Sequence, residues 1–166
     1  MEVNAEKSTL EWLGKKVTGE HFGNIKLKDG NFTVKNDKIE SGTFTIDMTS
    51  ITNTDLESEE YNAKLIGHLK SDDFFGVEKY PTSKLEITGS SKFVNNEAKV
   101  KGNLTIKNIT KPVEFTVKKT GNTYTAKVIV DRAKYDIRYG SGSFFDDLGD
   151  KMIYDDFTLT VTIVTK

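Results

Sequence analysis

Apolar and polar residues alternate every second position along most of this chain, the signature of β-strands with one buried face. Thr9-Leu10-Glu11-Trp12-Leu13 sets Leu10 and Trp12 on one side of a first strand, and Phe22, Ile25 and Leu27 continue the pattern. Asp29-Gly30 is a hairpin signal, since both residues tolerate the positive φ of a tight turn. Phe32 and Val34 follow, then a turn at Asn36-Asp37, then Phe44, Ile46 and Met48 on one face. These residues predict an antiparallel meander of about four strands. A second meander starts with Leu85 and Ile87 and turns at Val94-Asn95-Asn96. It continues through Ala98, Val100, Gly102, Leu104 and Ile106. Asn108 and Gly121-Asn122 mark further turns, separating Val113, Phe115 and Val117 from Tyr124, Ala126, Val128 and Val130. After an irregular stretch from Asp131 to Lys151, the last strand runs from Ile153 to Val164.

One stretch, Thr54 to Thr82, breaks the period of two. Tyr61, Leu65 and Leu69 are four apart with Ile66 beside them, which predicts a helix over about residues 55–71 with one apolar face. Thr54 and Glu57 fit a capping box at its start, and the helix runs into Asp72-Asp73-Phe74-Phe75 before Tyr80-Pro81 stops it. Eight or nine strands joined by short turns predict an all-β antiparallel barrel, eight-stranded, spanning residues 1–166 as one domain. The inward positions carry aromatic residues with glycine between them. Eight strands enclose space for side chains or for one small ligand.

Composition narrows the classes of function. A net charge of −1 without a long basic run gives no reason to expect nucleic acid. The absence of cysteine excludes disulfides, thiol catalysis and Cys-based zinc sites. Two histidines rule out a three-His metal site, and His68 reads as a hydrogen-bonding group at the helix end; neither cofactor nor metal is expected. No apolar run reaches the roughly 20 residues of a membrane span. The first residues, MEVNAEKSTLEW, lack the features of a signal peptide, which leaves the compartment open.

Four stretches resemble the YceI-like family of polyisoprenoid-binding proteins. They are His68-Leu69-Lys70-Ser71-Asp72-Asp73-Phe74-Phe75 with Tyr80-Pro81-Thr82; Gly102-Asn103-Leu104-Thr105-Ile106 with Thr110-Lys111-Pro112-Val113; Asp131-Arg132 with Tyr135 and Ile137; and Phe144-Phe145-Asp146-Asp147-Leu148-Gly149-Asp150. Asn108 stands where the family has Gly, Ile66 where an acidic residue is common, and Gly76 where Asp is frequent. The resemblance implies an extended lipocalin-like barrel with a long apolar tunnel and a helix at its mouth. It also implies binding of amphiphiles with isoprenoid or acyl tails, often in a bacterial periplasm or secreted, and no catalysis.

The expected partner is therefore a long-chain isoprenoid or acyl lipid, and an exposed barrel edge makes a homodimer reasonable. Candidate ligand-binding residues are Trp12, Phe22, Phe32, Phe44, Leu69, Phe74, Phe75, Phe115, Tyr124, Phe144, Phe145 and Phe157. Phe74-Phe75 and Phe144-Phe145 are paired as seals or gates of the barrel. Asp131-Arg132 reads as an ion pair fixing the next loop. Asp155 shares the parity of the apolar residues of the last strand: either the strand bulges before Phe157, or Asp155 pairs with a cation near the barrel end, with Arg132 and Arg138 as candidate partners. Two rival readings remain: a small hydrolase or metal-assisted enzyme using the acidic segment Asp146–Asp156, and a stress-related structural barrel filled by its own side chains. Three Asn-x-Ser/Thr sequons, at Asn31, Asn103 and Asn108, read as accidental.

Overall fold

The computed structural model describes residues 1–142, 144, 148–149 and 152–166. Alternation produces eight strands: β1 (Thr9–Lys16), β2 (Gly19–Lys35), β3 (Lys38–Asp47), β4 (Thr82–Ser90), β5 (Glu97–Ile106), β6 (Ile109–Thr120), β7 (Thr123–Asp131) and β8 (Ile153–Val164). Each pairs antiparallel with its successor, and β8 closes on β1 through pairs such as Trp12 with Leu159. The result is a closed eight-stranded antiparallel barrel, as the pattern predicts. Strand β5 shows the alternation most cleanly, with Ala98, Val100, Gly102, Leu104 and Ile106 buried.

The turns at Asn36-Asp37, Asn95-Asn96 and Lys107-Asn108 each place two successive non-glycine residues at positive φ. This is the backbone of the two-residue hairpins that match strand twist. Asn108, at φ 60°, does the work glycine does elsewhere in the family pattern.

Asp29-Gly30 is not a turn, and three strands rather than four precede the helix. Strand β2 continues through the dipeptide for 17 residues, with a register shift between Leu27 and Asp29. That bulge moves the inward parity from Ile25 and Leu27 to Phe32 and Val34, so the change of phase that suggested a hairpin is an inserted residue. Gly30 is needed for space. A Cβ there would lie 2.7 Å from Cδ1 of Phe44, its cross-strand partner, and one at Gly42 would lie 2.8 Å from Cβ of Phe32, its own partner. Each phenylalanine covers the glycine opposite it, and the two rings stack at 6.1 Å.

The helix α1 (Glu59–Lys70) begins later than expected. Ser58, not Thr54, is its cap and accepts from the Tyr61 N–H, while Glu59 and Glu60 in the first turn complement the helix dipole. Thr54 is held away from the helix by its N–H bond to the Phe22 carbonyl. Thr52 and Asn24 exchange both backbone bonds, which ties residues 52–54 to β2. Tyr61, assigned to the apolar face, is 62% exposed; Leu65 and Ile66 are half-buried and Leu69 is buried.

The α1 end of the barrel is called the lower end below. At the upper end, Phe93 meets the Tyr124 ring, and Val3 bridges to Thr165.

Candidate ligand-binding chambers

Among the described residues, two cavities lie inside the barrel. The upper, of about 90 Å³, is walled by residues that include Phe32, Phe44, Phe115 and Tyr124. The lower, of about 150 Å³, is walled by residues that include Trp12, Leu69, Phe74, Phe75 and Phe157. Ile46, Leu104 and Leu159 line both and form a waist between them. Both walls are almost wholly carbon. Lys15 and Lys16 reach the lower rim, where their exposed position lets the methylene stems cover the cavity while the ammonium groups stay in water. A cavity of about 150 Å³ lined by aliphatic and aromatic side chains stays dry and holds a benzene-sized molecule.

Nine of the twelve candidate residues thus line the interior. Phe22 does not. It is 44% exposed, because inward parity in lower β2 belongs to His21, Gly23, Ile25 and Leu27, and Phe22 lies one step out of phase. Phe144 is also turned out, 42% exposed, with the Arg138 guanidinium 4.7 Å from its ring centre. Phe145 lies outside the described residues, as do Asp146, Asp147 and Asp150. Sequence parity marks the waist residues as inward strand positions but does not mark them as part of the site. Their role depends on which side chains meet across the barrel, and this follows from register rather than from parity.

The lower mouth is crossed by the connection into α1. The Trp12 indole donates to the Thr52 carbonyl at 2.8 Å, and Ile51 and Asn53 are buried. Asp55 closes the crossing: its carboxylate meets His21 Nδ1 at 2.7 Å and accepts from the Phe22 N–H and the Asn53 amide. Burial alone would raise the Asp55 pKa, but the bonds from Phe22, His21 and Asn53 outweigh it and hold the carboxyl below its usual 3.8. A carboxyl depressed in the folded state stabilises above its unfolded pKa, and that stability is lost as pH falls through the folded value. Urea denaturation from pH 6 down to pH 2 should therefore show stability falling below about pH 4. Asp55→Asn should be less stable at pH 6 and should flatten that acid limb. An unchanged limb in the variant would assign the acid loss to other carboxylates.

Asp131 and Arg132 do not pair with each other in the described structure. Asp131 caps a 3-10 turn over Arg132–Tyr135, accepting from the Ala133 N–H. Arg132 is 4% exposed and forks inward, donating to the carbonyls of Ile137, Ile153 and Tyr154 at 2.9–3.3 Å. Burial lowers its pKa, and the carboxylates of Asp155 and Asp131 push it back up. Asp155 is half-buried, as its parity requires, and accepts from the Ser141 hydroxyl. Arg138 turns instead to Asp136 at the surface. His68 meets Asp73 at 3.0 Å and sets its ring edge-on to Phe74, the helix-end role expected of it. Among the described residues, no three His, Cys, Asp or Glu side chains converge in a way that would hold a metal ion.

The model of the YceI-like domain matches residues 1–165. The chain belongs to the YceI-like family. This YceI-like chain is similar to a UPF0312 protein of Pseudomonas putida strain W619, 33% identical over 93 residues, covering 56% of this chain and 46% of the relative. It is likewise 33% identical over 102 residues to a UPF0312 protein of Pseudomonas aeruginosa PAO1, covering 60% of this chain and 49% of the relative. The chain thus spans about half the length of the curated relatives it matches. Its fold is that of Burkholderia cenocepacia BcnA, with a TM-score of 0.76 at 22% identity and 99% of each chain covered. It is also that of a polyisoprenoid binding domain from Saccharophagus degradans implicated in plant cell wall breakdown. The TM-score there is 0.67 at 13% identity, covering 98% of this chain and 95% of that one. No helix of this YceI-like barrel, among the described residues, is long and apolar enough to cross a membrane.

Proposed function

We propose that this YceI-like barrel binds a lipid with a long apolar tail, a polyisoprenoid, isoprenoid quinone or fatty-acid derivative, and carries or sequesters it without chemical change. The single observation that carries this reading is the pair of carbon-walled chambers separated by three aliphatic side chains, Ile46, Leu104 and Leu159. The likeness to a domain described as polyisoprenoid binding supports it. So does the scarcity of polar surface in the walls, which offers a headgroup no partner inside and favours its staying at a mouth. The periplasmic or secreted setting that the family resemblance implies is part of this proposal.

Chambers of about 90 and 150 Å³ are each too small for a long tail, so the waist side chains must swing aside to join them. Burial supplies the drive. Each buried CH₂ contributes roughly 0.8 kcal/mol, so about ten carbons give on the order of 8 kcal/mol before the cost of association. The test is a series of fatty acids from eight to sixteen carbons, with protein purified without detergent and also examined by native mass spectrometry. Affinity should rise by up to about fourfold per added carbon while the tail is still entering the chambers. A flat dependence on length, with no lipid retained from purification, would falsify the proposal.

A further inference from the structure

We propose that the upper chamber opens laterally, through the seam between β6 and β7, and that the lipid tail enters and leaves there rather than past the helix. This rests on the lipid-binding reading above and adds the route. Strand β5 pairs with β6 along its whole length, from Glu97–Lys118 to Ile106–Ile109. β7 and β8 likewise pair from Thr123–Val164 to Asp131–Asp156. Between β6 and β7 the ladder covers four positions, Val117–Ala126 to Thr120–Thr123, beside the Gly121 turn, and then stops. Beyond that point β6 has the features of an edge strand. Pro112 has no N–H to give a ladder, the outward positions Glu114 and Lys127 are charged and exposed, and Lys111 puts an exposed charge on the inward parity, all features of edges that avoid pairing.

Burial locates the opening. Val113 and Phe115 face inward on the parity of buried Val117, yet both are only half-buried, whereas Val100 across the β5–β6 ladder is fully buried. Val113, Phe115, Ala126 and the exposed Thr125 all line the upper chamber, so this chamber meets the surface at the seam. Ile129, on the outer lip, is 63% exposed. The other approaches are obstructed: the waist stands below, and Val3, Phe93 and Tyr124 gather above. Widening the seam about its Gly121 hinge breaks at most a few ladder hydrogen bonds, each worth about 0.5–1.5 kcal/mol net. Every other strand pair has a longer ladder, of six paired positions at the least.

The chain has no cysteine, so a cross-link can be placed cleanly. Glu114 and Ile129 are outward-facing and would oppose each other if the β6–β7 register continued. Glu114→Cys/Ile129→Cys, closed by a short bis-maleimide and verified by mass, should take up and release a pyrene-labelled hexadecanoate at least tenfold more slowly than the uncross-linked variant. Equilibrium affinity should stay within threefold. Independently, Phe115→Ala should speed exchange and Ala126→Trp should slow it. Equal rates with and without a complete cross-link would overturn the lateral route while leaving lipid binding intact. No uptake by the wild type or the uncross-linked variant would overturn the lipid-binding reading itself, and the route with it.

Discussion

Replacing Arg132 by methionine is expected to destabilise the barrel by about 3 kcal/mol or more, since three carbonyls lose their donors at once. The side chain is 4% exposed, and its three bonds hold the Ile137, Ile153 and Tyr154 carbonyls. Methionine fills much of the volume but leaves those acceptors without donors, at about 1–3 kcal/mol for a buried group left unmade. It also removes a buried positive charge that interacts with the carboxylates of Asp155 and Asp131. Arg132→Lys separates charge from shape. An ammonium is a single point donor and cannot reach three carbonyls on two segments as the planar fork does, so lysine should recover only part of the loss. Urea denaturation of both variants decides the matter. Full recovery by lysine would mean that charge alone matters at this position, and a loss under 1 kcal/mol for methionine would mean that water replaces the donors.

The same arginine shows where sequence reading stops. Asp131-Arg132 was visible as a pair, and an ion pair is what adjacent opposite charges suggest. In the fold each satisfies backbone instead, because a strand ending in a 3-10 turn leaves a free N–H at Ala133, and the irregular chain beyond it leaves buried carbonyls unmet. Backbone demand of this kind has no signature in side-chain order. Parity, by contrast, carried a great deal. The inward face of β5 is legible residue by residue, and Asp155 stands out as a charge on the inward parity of β8. Where parity failed, it failed at phase changes. Phe22 stands three positions from Ile25 and so cannot share its face, and the Asp29-Gly30 bulge shifts phase as a hairpin would. The positive-φ turns at Asn36-Asp37 and Asn95-Asn96 were readable because local backbone chemistry decides them. The waist and the seam were not, since both follow from which strands pair and for how far.

The helix posed the opposite problem: its existence was plain and its start was not. Thr54 and Glu57 have the right chemistry for a capping box, but residues 52–54 are already committed to β2, so the first free position for a cap is Ser58. A single glycine permits that commitment. Gly23 faces inward opposite Trp12, and a Cβ there would lie 1.9 Å from the Thr52 carbonyl oxygen and 2.8 Å from the Asn53 Cα. Those are backbone atoms, so a methyl group cannot be accommodated by turning a side chain. Gly23→Ala must push the crossing segment off the strand. With it go the Trp12–Thr52 bond, the paired Asn24–Thr52 bonds and the Thr54–Phe22 bond. Four hydrogen bonds at about 1 kcal/mol each, less some recovery in water, predict a loss of roughly 3 kcal/mol. For a domain of this size that is about 6–12 °C in Tm. Hydrogen exchange should localise the damage, with the amides of Thr52 and Thr54 losing protection while those of β5 keep theirs. A variant that keeps its Tm within 2 °C and its protection at Thr52 would show that the crossing does not need the empty space at Gly23. Loss of Tm without local deprotection would place the strain in the barrel wall and not in the path to the helix.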